Sequence, residues 1–354
     1  MIDLTNIIKV ITPAIIAFTI GIAITPLLTR HLYTHRAWKK KPGKQTLSGA
    51  EAVEFNRLHK EREREVPRMG GIVIWASAIV TILGTWALSL IWPTDITVKM
   101  DFLSRTQTWI PLFALLVGAI VGLANDILDI YHSGNGLSLR RRLFVVITTS
   151  IFIGWWFYAK LDITTVGIPF GQPLEIGWLI IPYFVIVSLA LYASGIIDGI
   201  DGLAGGVFAM IFSAYAVIAL TQDQIDLAAF SAMLVGAILA FLWFNIPPAR
   251  FFMTETGTMA LTFVLATIAF MTDSLGEGIG IAVLPIIGFL LVATVASTII
   301  QELSKRFLGK KVFRIAPLHH HFEAIGWPST KVAMRYWVLG AIFAFFGVIL
   351  ALVG

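Results

Sequence analysis

Carboxylates three residues apart recur in this chain, each time beside small residues. In IIDGIDGLAGG, Asp198 and Asp201 fall on one side of a helical turn, and Gly199, Gly202, Gly205 and Gly206 leave room for a bulky polar ligand. Such a pair suits Mg²⁺, or hydrogen bonds to a base or a sugar; the plainer alternative is a helix start capped by aspartate. ANDILD repeats the spacing with Asp126 and Asp129, and GLSLRRR follows with Arg140, Arg141 and Arg142, which could meet phosphate oxygens or simply fix topology. NIPPARFFMTETGT breaks at Pro247 and Pro248, presents Asn245 and Phe252, and ends in Glu255 beside Gly257, where a helix dipole favours an acid. RIAPLHHHFEAIGW sets His319, His320 and His321 in a row before Glu323. Adjacent rings cannot all share one helical face, which argues against a three-ligand zinc centre built from this run. Beside Arg314, they better suit donors for phosphate oxygens, with an uncommitted metal-binding run as the alternative.

The elements that must position these groups are membrane helices. Of 354 residues, 57% are hydrophobic and 13% charged, far from the balance of soluble domains. Apolar stretches at roughly 7–29, 70–92, 110–126, 143–159, 178–194, 204–220, 226–244, 256–272, 279–299 and 332–353 are each long enough to cross a hydrocarbon core. The expectation is an all-α polytopic membrane protein of about ten spans, one domain over 1–354. The first span continues into a basic loop without a small-residue cleavage site, so it reads as a retained helix. With no cysteine, disulfides and thiol chemistry are excluded.

Charge sets the orientation. The loop from Arg30 to Arg68 holds eleven Lys and Arg, and further cations follow at 140–142 and in 300–331, whereas the alternate loops hold only Lys99, Arg105 and Lys160. The basic loops therefore belong in the cytoplasm and both termini outside. The net charge of +5 is accounted for by topology and anionic lipid, without nucleic acid, and a phosphate-bearing substrate is compatible with it. Ser48 to Glu51 has capping-box spacing before a charged helical run to Arg64, and LDITTVGIPFGQPLEIGW predicts a short extracytoplasmic β-hairpin. The four polar motifs all fall at span ends on the cytoplasmic face, which predicts one shared site.

VPRMGG, GLSLR, DGIDGLAGG, FNIPPARFFMTETGT and RIAPLHHHFEAIGW occur in the order seen in the polyprenyl-phosphate N-acetylhexosamine-1-phosphate transferases, and the resemblance spans nearly the whole chain. Within that family, HHHFE, GW and the later RYW resemble the branch that moves phospho-MurNAc-pentapeptide from UDP to undecaprenyl phosphate, giving lipid I and UMP in peptidoglycan synthesis. The resemblance implies Mg²⁺, a bacterial inner (plasma) membrane setting with a cytoplasmic active site, and a homodimer. It implies catalytic roles for Asp126, Asp198, His319, His320 and His321. It further implies substrate contacts from Asn125, Arg140, Asp201, Asn245 and Phe252, the last three in a uridine pocket, and metal ligation by Glu255 and Asp126. A sister transferase taking another UDP-N-acetylhexosamine, or a homologue that only binds lipid or nucleotide, are the alternatives.

Several positions depart from the family pattern. Its paired acids followed by lysine read Asn125, Asp126 and Asp129 here; its metal-binding aspartate is Glu255; two asparagines before DGxDG are Tyr192 and Gly195. None need abolish phosphoryl transfer. A phosphate monoester has its second pKa near 6, so a lipid phosphate is largely dianionic at neutral pH and needs no strong base, only positioning by a group such as Asn125. Glu255 still offers a hard oxygen to Mg²⁺. Asp129 either restores a second negative charge or, as preferred, sits in solvent.

Overall fold

In hydrocarbon, a backbone must satisfy its own hydrogen bonds, and the apolar runs do so as helices. The computed structural model describes residues 4–40, 56, 65–131 and 136–354. Its helices are α1 (Leu4–Thr34), α2 (Ile72–Ile91), α3 (Asp95–Met100), α4 (Trp109–Tyr131), α5 (Leu139–Lys160), α6 (Ile180–Ser194), α7 (Leu203–Thr221) and α8 (Ile225–Asn245). These are followed by α9 (Thr254–Met271), α10 (Gly280–Ile287), α11 (Phe289–Leu308), α12 (Leu318–Ala324) and α13 (Ser329–Val353). Among the described residues nine helices are long and apolar enough to span, and the α10–α11 pair makes up to ten. The expected straight span at 279–299 is instead broken at Gly288, where α10 and α11 meet at 68°. The charged helix expected between Ser48 and Arg64 lies outside the described residues.

α7, α8 and α9 form the centre, since nearly every residue of α9 is buried, whereas few residues of α1 and α13, on the outer ring, are buried. Leu27, Phe345 and Val353 on that ring are over half exposed, the pattern of a lipid-facing surface. In the segment expected to form a hairpin, Thr165 and Val166 pair antiparallel with Glu175 and Leu174.

Contacts at the two ends of α9 define the two ends of the bundle. Past its C-terminus, Asp273 accepts from Gly167 N at 2.7 Å and Ile281 N at 2.9 Å, tying the strand pair to α10. Burial pushes the Asp273 carboxyl up to about 6, while these hydrogen bonds pull it back. Gln224 at the head of α8 donates to Met271 O, Lys9 on α1 pairs with Asp226, and Phe170 N donates to Gly354 O. The start of α1, the strand pair and the end of α13 therefore share one end. The N-terminus of α9 lies at the other, about 27 Å away at 1.5 Å per residue, close to a hydrocarbon thickness.

Candidate active site

The site is assembled on the N-terminus of α9. Gly118 and Gly122 bring α4 backbone to backbone with α9: a Cβ on Gly122 would lie 2.1 Å from Glu255 O, and one on Gly118 2.6 Å from Ala260 Cα. One turn beyond Gly122, Asp126 projects onto the open amides of α9. It is fully buried, and its Oδ2 accepts from Thr256 N (2.8 Å), Thr256 Oγ1 (2.6 Å) and Thr254 Oγ1 (2.5 Å). Its Oδ1 accepts from Arg68 Nη2 at 3.2 Å. Arg68 Nη1 reaches Asp129 Oδ2 at 3.3 Å, so Asp129, expected in solvent, is instead ion-paired, with a side chain only 14% exposed. The three-residue spacing puts both acids on one face of α4, and a single forked guanidinium spans them.

Asp198 reaches the same helix end from the DGxDG turn, its Oδ2 accepting from Thr254 N at 2.7 Å. Thr254 has φ +55°, a region a β-branched residue rarely enters. It is held there by Asp126, by Asp198 and by Met69 N, which donates to its hydroxyl at 3.2 Å. Strain of this kind persists where the surroundings over-determine it, here through three chain segments that meet at one residue.

Glu255 follows in the first turn of α9 and is ion-paired with Arg142 from the first turn of α5. Asn125 Oδ1 accepts from Leu137 N at 2.9 Å, fixing the approach to α5 against α4. Arg140 is exposed on that helix, and it is Arg142 that enters the cluster. Asp201 and Asn245 are buried and lock two loops together: Asp201 Oδ2 accepts from Ala249 N, while Asn245 accepts from Gly202 N and donates to Phe251 O. Phe252 is half-buried, and its backbone pairs with Pro67 and Gly70, joining VPRMGG to the same wall.

The histidines sit on α12, which hangs from α11. Ser297 Oγ accepts from Leu318 N, Gln301 binds the backbone of Val312 and Phe313, and Ser304 Oγ donates to Lys310 O. His319 and His320 are buried, and a Cβ on Gly199 would lie 2.6 Å from the Nε2 of each, so both rings abut the DGxDG turn. Here glycine is required by that close approach. His320 Nδ1 lies 2.7 Å from Glu323 Oε2, and Ser329 Oγ donates to Glu323 Oε1, fixing the ring. His321 faces away, its Nδ1 accepting from Arg314 N. The triplet thus divides two to one, as the helical spacing requires.

Among the described residues no three His, Asp or Glu side chains converge to cage a metal. Asp126, one expected Mg²⁺ ligand, has both oxygens engaged by protein donors. Glu255, the other, fits: its Oε2 is buried and has no partner among the described residues. Mg²⁺ commonly takes one or two carboxylates and completes its shell with phosphate and water, so one such oxygen suffices.

Arg68, Thr254, Thr256, Glu323 and the Ser297–Gln301–Ser304 stripe belong to the site and are given no site role by the sequence, which offers Arg142 only as one of three adjacent cations. The stripe did carry a signal, polar residues at i, i+4 and i+7 along one face of a helix whose charges, Glu302, Lys305 and Arg306, are confined to its last two turns. The threonines carried none, since in a membrane helix threonine commonly returns its hydroxyl to its own backbone, as Thr262 and Thr267 do here.

With this geometry in place, comparison with known proteins is informative. A model of glycosyl transferase family 4 matches residues 108–273. The phospho-N-acetylmuramoyl-pentapeptide-transferase of Anoxybacillus flavithermus is 35% identical over 293 residues, 81% of this chain and 84% of that protein. The protein of the same name from Bacillus subtilis is 33% identical over 296 residues, with the same coverage. That from Bacillus velezensis is 30% identical over 341 residues, 94% of this chain and 95% of the relative.

Proposed function

The chain belongs to the phospho-N-acetylmuramoyl-pentapeptide transferases of glycosyl transferase family 4, and on that premise we propose that it transfers phospho-MurNAc-pentapeptide from UDP to undecaprenyl phosphate, forming lipid I and UMP in peptidoglycan synthesis. The observation that carries the reading is the meeting of Asp126, Asp198, Glu255, Arg68, Arg142 and two buried histidines at one end of an apolar bundle. Few other reactions ask for so many fixed charges with no cysteine or serine nucleophile among them.

In the transfer, an oxygen of the lipid phosphate forms a bond to the β-phosphorus of the UDP-sugar. The bond from that phosphorus to the bridging oxygen breaks, and its electron pair leaves on UMP. The attacking dianion needs placement more than deprotonation. His319 and His320 aim Nε2 at the DGxDG turn, where they can donate to diphosphate oxygens; Glu323 holds the His320 ring through Nδ1. Arg68 and Arg142 supply positive charge, and Asp126 keeps the amides of α9 in register. Bound Mg²⁺, held through Glu255, would neutralise charge on the diphosphate.

A groove of about 380 Å³ supports a prenyl acceptor. It lies between α6 and the bent α10–α11 pair, is lined by residues such as Val187, Leu191, Leu284 and Val292, and reaches Ser194, four residues before Asp198. That volume takes the isoprene units next to the phosphate and leaves the rest of the tail in lipid. The lysine and arginine bias supports a site on the cytoplasmic face of the membrane, which for this reaction is the inner membrane.

The reaction is tested with purified chain, Mg²⁺ and undecaprenyl phosphate, offered UDP-MurNAc-pentapeptide or UDP-GlcNAc. UMP is expected from the first alone, and release from UDP-GlcNAc only would transfer the chain to a sister activity. Orientation is tested by single cysteines, for which this cysteine-free chain needs no background changes. Lys310→Cys should label with an impermeant thiol reagent from the cytoplasm and Gln172→Cys from outside. Labelling of both from one side sinks the topology.

A further inference from the structure

Arg142 and Glu255 form an ion pair of the site that the architecture does not need. Glu255 already lies in the first turn of α9, where the helix dipole favours a negative charge without a counter-ion. Arg142 is anchored by its backbone, since Leu137 N is bound to Asn125 and α5 starts at Leu139, yet its side chain is long and 23% exposed. The pair is also only half made. Among the described residues Glu255 Oε2 and Arg142 Nε are both buried without partners, whereas Asp126 in the same cluster has every oxygen engaged. Buried polar atoms left open at both ends of an ion pair are what a ligand carrying an anion and a cation together would complete.

We propose that Arg142 is held in store by Glu255 for an entering phosphate: the anion takes the guanidinium, and Glu255, released, takes the divalent cation that travels with it. Arginine suits the first half, because its fork matches two phosphate oxygens and stays charged throughout. Glutamate suits the second, because its extra methylene lets one carboxylate address Arg142 in one state and a metal in the other. Without anion the guanidinium neutralises Glu255 and suppresses cation binding, so the chain avoids loading with metal alone. Linkage makes the effect reciprocal, the cation strengthening the anion by the same factor. Asp126 takes no part in the exchange, being committed to α9 and Arg68. The inference rests on the phosphoryl-transfer reading, and makes Arg142 a substrate-binding and positioning residue for it.

The test uses the full chain in detergent with Mn²⁺ as probe, free Mn²⁺ being read by electron paramagnetic resonance. Without anion the parent should bind Mn²⁺ weakly, and Arg142→Gln at least about tenfold more tightly, roughly 1.4 kcal/mol. The gain should vanish in Arg142→Gln with Glu255→Gln, and Arg142→Lys should resemble the parent. UMP added to the parent should tighten Mn²⁺ about tenfold beyond the association of UMP with Mn²⁺ in solution, an arm that needs no variant to fold. Arg142→Gln binding no more tightly than the parent, a gain that survives the double substitution, or UMP without effect on the parent overturns the proposal. None of these readouts involves sugar or lipid. A chain that couples UMP to Mn²⁺ but releases no UMP in the transfer assay loses the functional reading alone, and an active chain without coupling loses this inference alone.

Discussion

Asp126→Ala is expected to lower turnover by at least about a hundredfold and to destabilise the protein by about 3–5 kcal/mol, the range for removing one partner of a buried ion pair. The substitution leaves Thr256 N, both threonine hydroxyls and one arm of Arg68 without their shared acceptor at a fully buried position. Thr254 would lose a contact that holds its positive φ, so the first turn of α9 should loosen and carry Glu255 with it. Asp126→Asn keeps the volume and one acceptor but not the charge, and should fall between alanine and the parent. Thermal unfolding in detergent and UMP release are the measurements. An alanine variant with parental stability and rate would show that the carboxylate organises nothing.

His320→Ala should cut kcat by roughly a hundred- to a thousandfold with little change in stability, the size of effect seen when one preorganised donor to a developing anion is removed. The ring abuts Gly199 rather than filling the hydrophobic centre, and Glu323 retains Ser329, so no charge is left bare. Glu323→Gln should cost about tenfold, because it loosens the ring without deleting it. His321→Ala, on a ring turned toward Arg314 and Phe313, should cost far less. Equal losses from all three histidine variants would contradict the division of the triplet, and unchanged kcat in the His319 and His320 variants would remove these rings from the reaction.

The asymmetry between those predictions marks where sequence stops being informative. Length, apolar content and charge bias determine the helical class and the number of spans, because the bilayer allows few alternatives to a self-satisfied helix of about 20 residues. They also determine that Asp126, Asp129, Asp198, Glu255 and the histidines lie at helix ends, since charge is expelled from the apolar stretches. The order of the motifs, each matching at its own place, determines the family. What a linear pattern does not contain is the partner of each charge.

Only the tertiary structure decided that Arg68, at a sequence distance of 58 residues, bridges Asp126 to Asp129, and that Arg142 rather than Arg140 meets Glu255. It alone bent the ninth span at Gly288, which lets α11 carry the histidine helix back against the DGxDG turn. It also gave Asp201 and Asn245 their loop partners, because a buried amide and carboxylate must find donors and acceptors locally, and the nearest were the backbones of Gly202, Ala249 and Phe251. The physical reason is one of range. Hydrophobic periodicity and helix-end preference act within a few residues and so are written in the order of the chain. An ion pair or a hydrogen bond is decided by which surfaces packing brings within about 3 Å, and packing between helices depends on glycines such as Gly118 and Gly122, whose partners lie more than a hundred residues away.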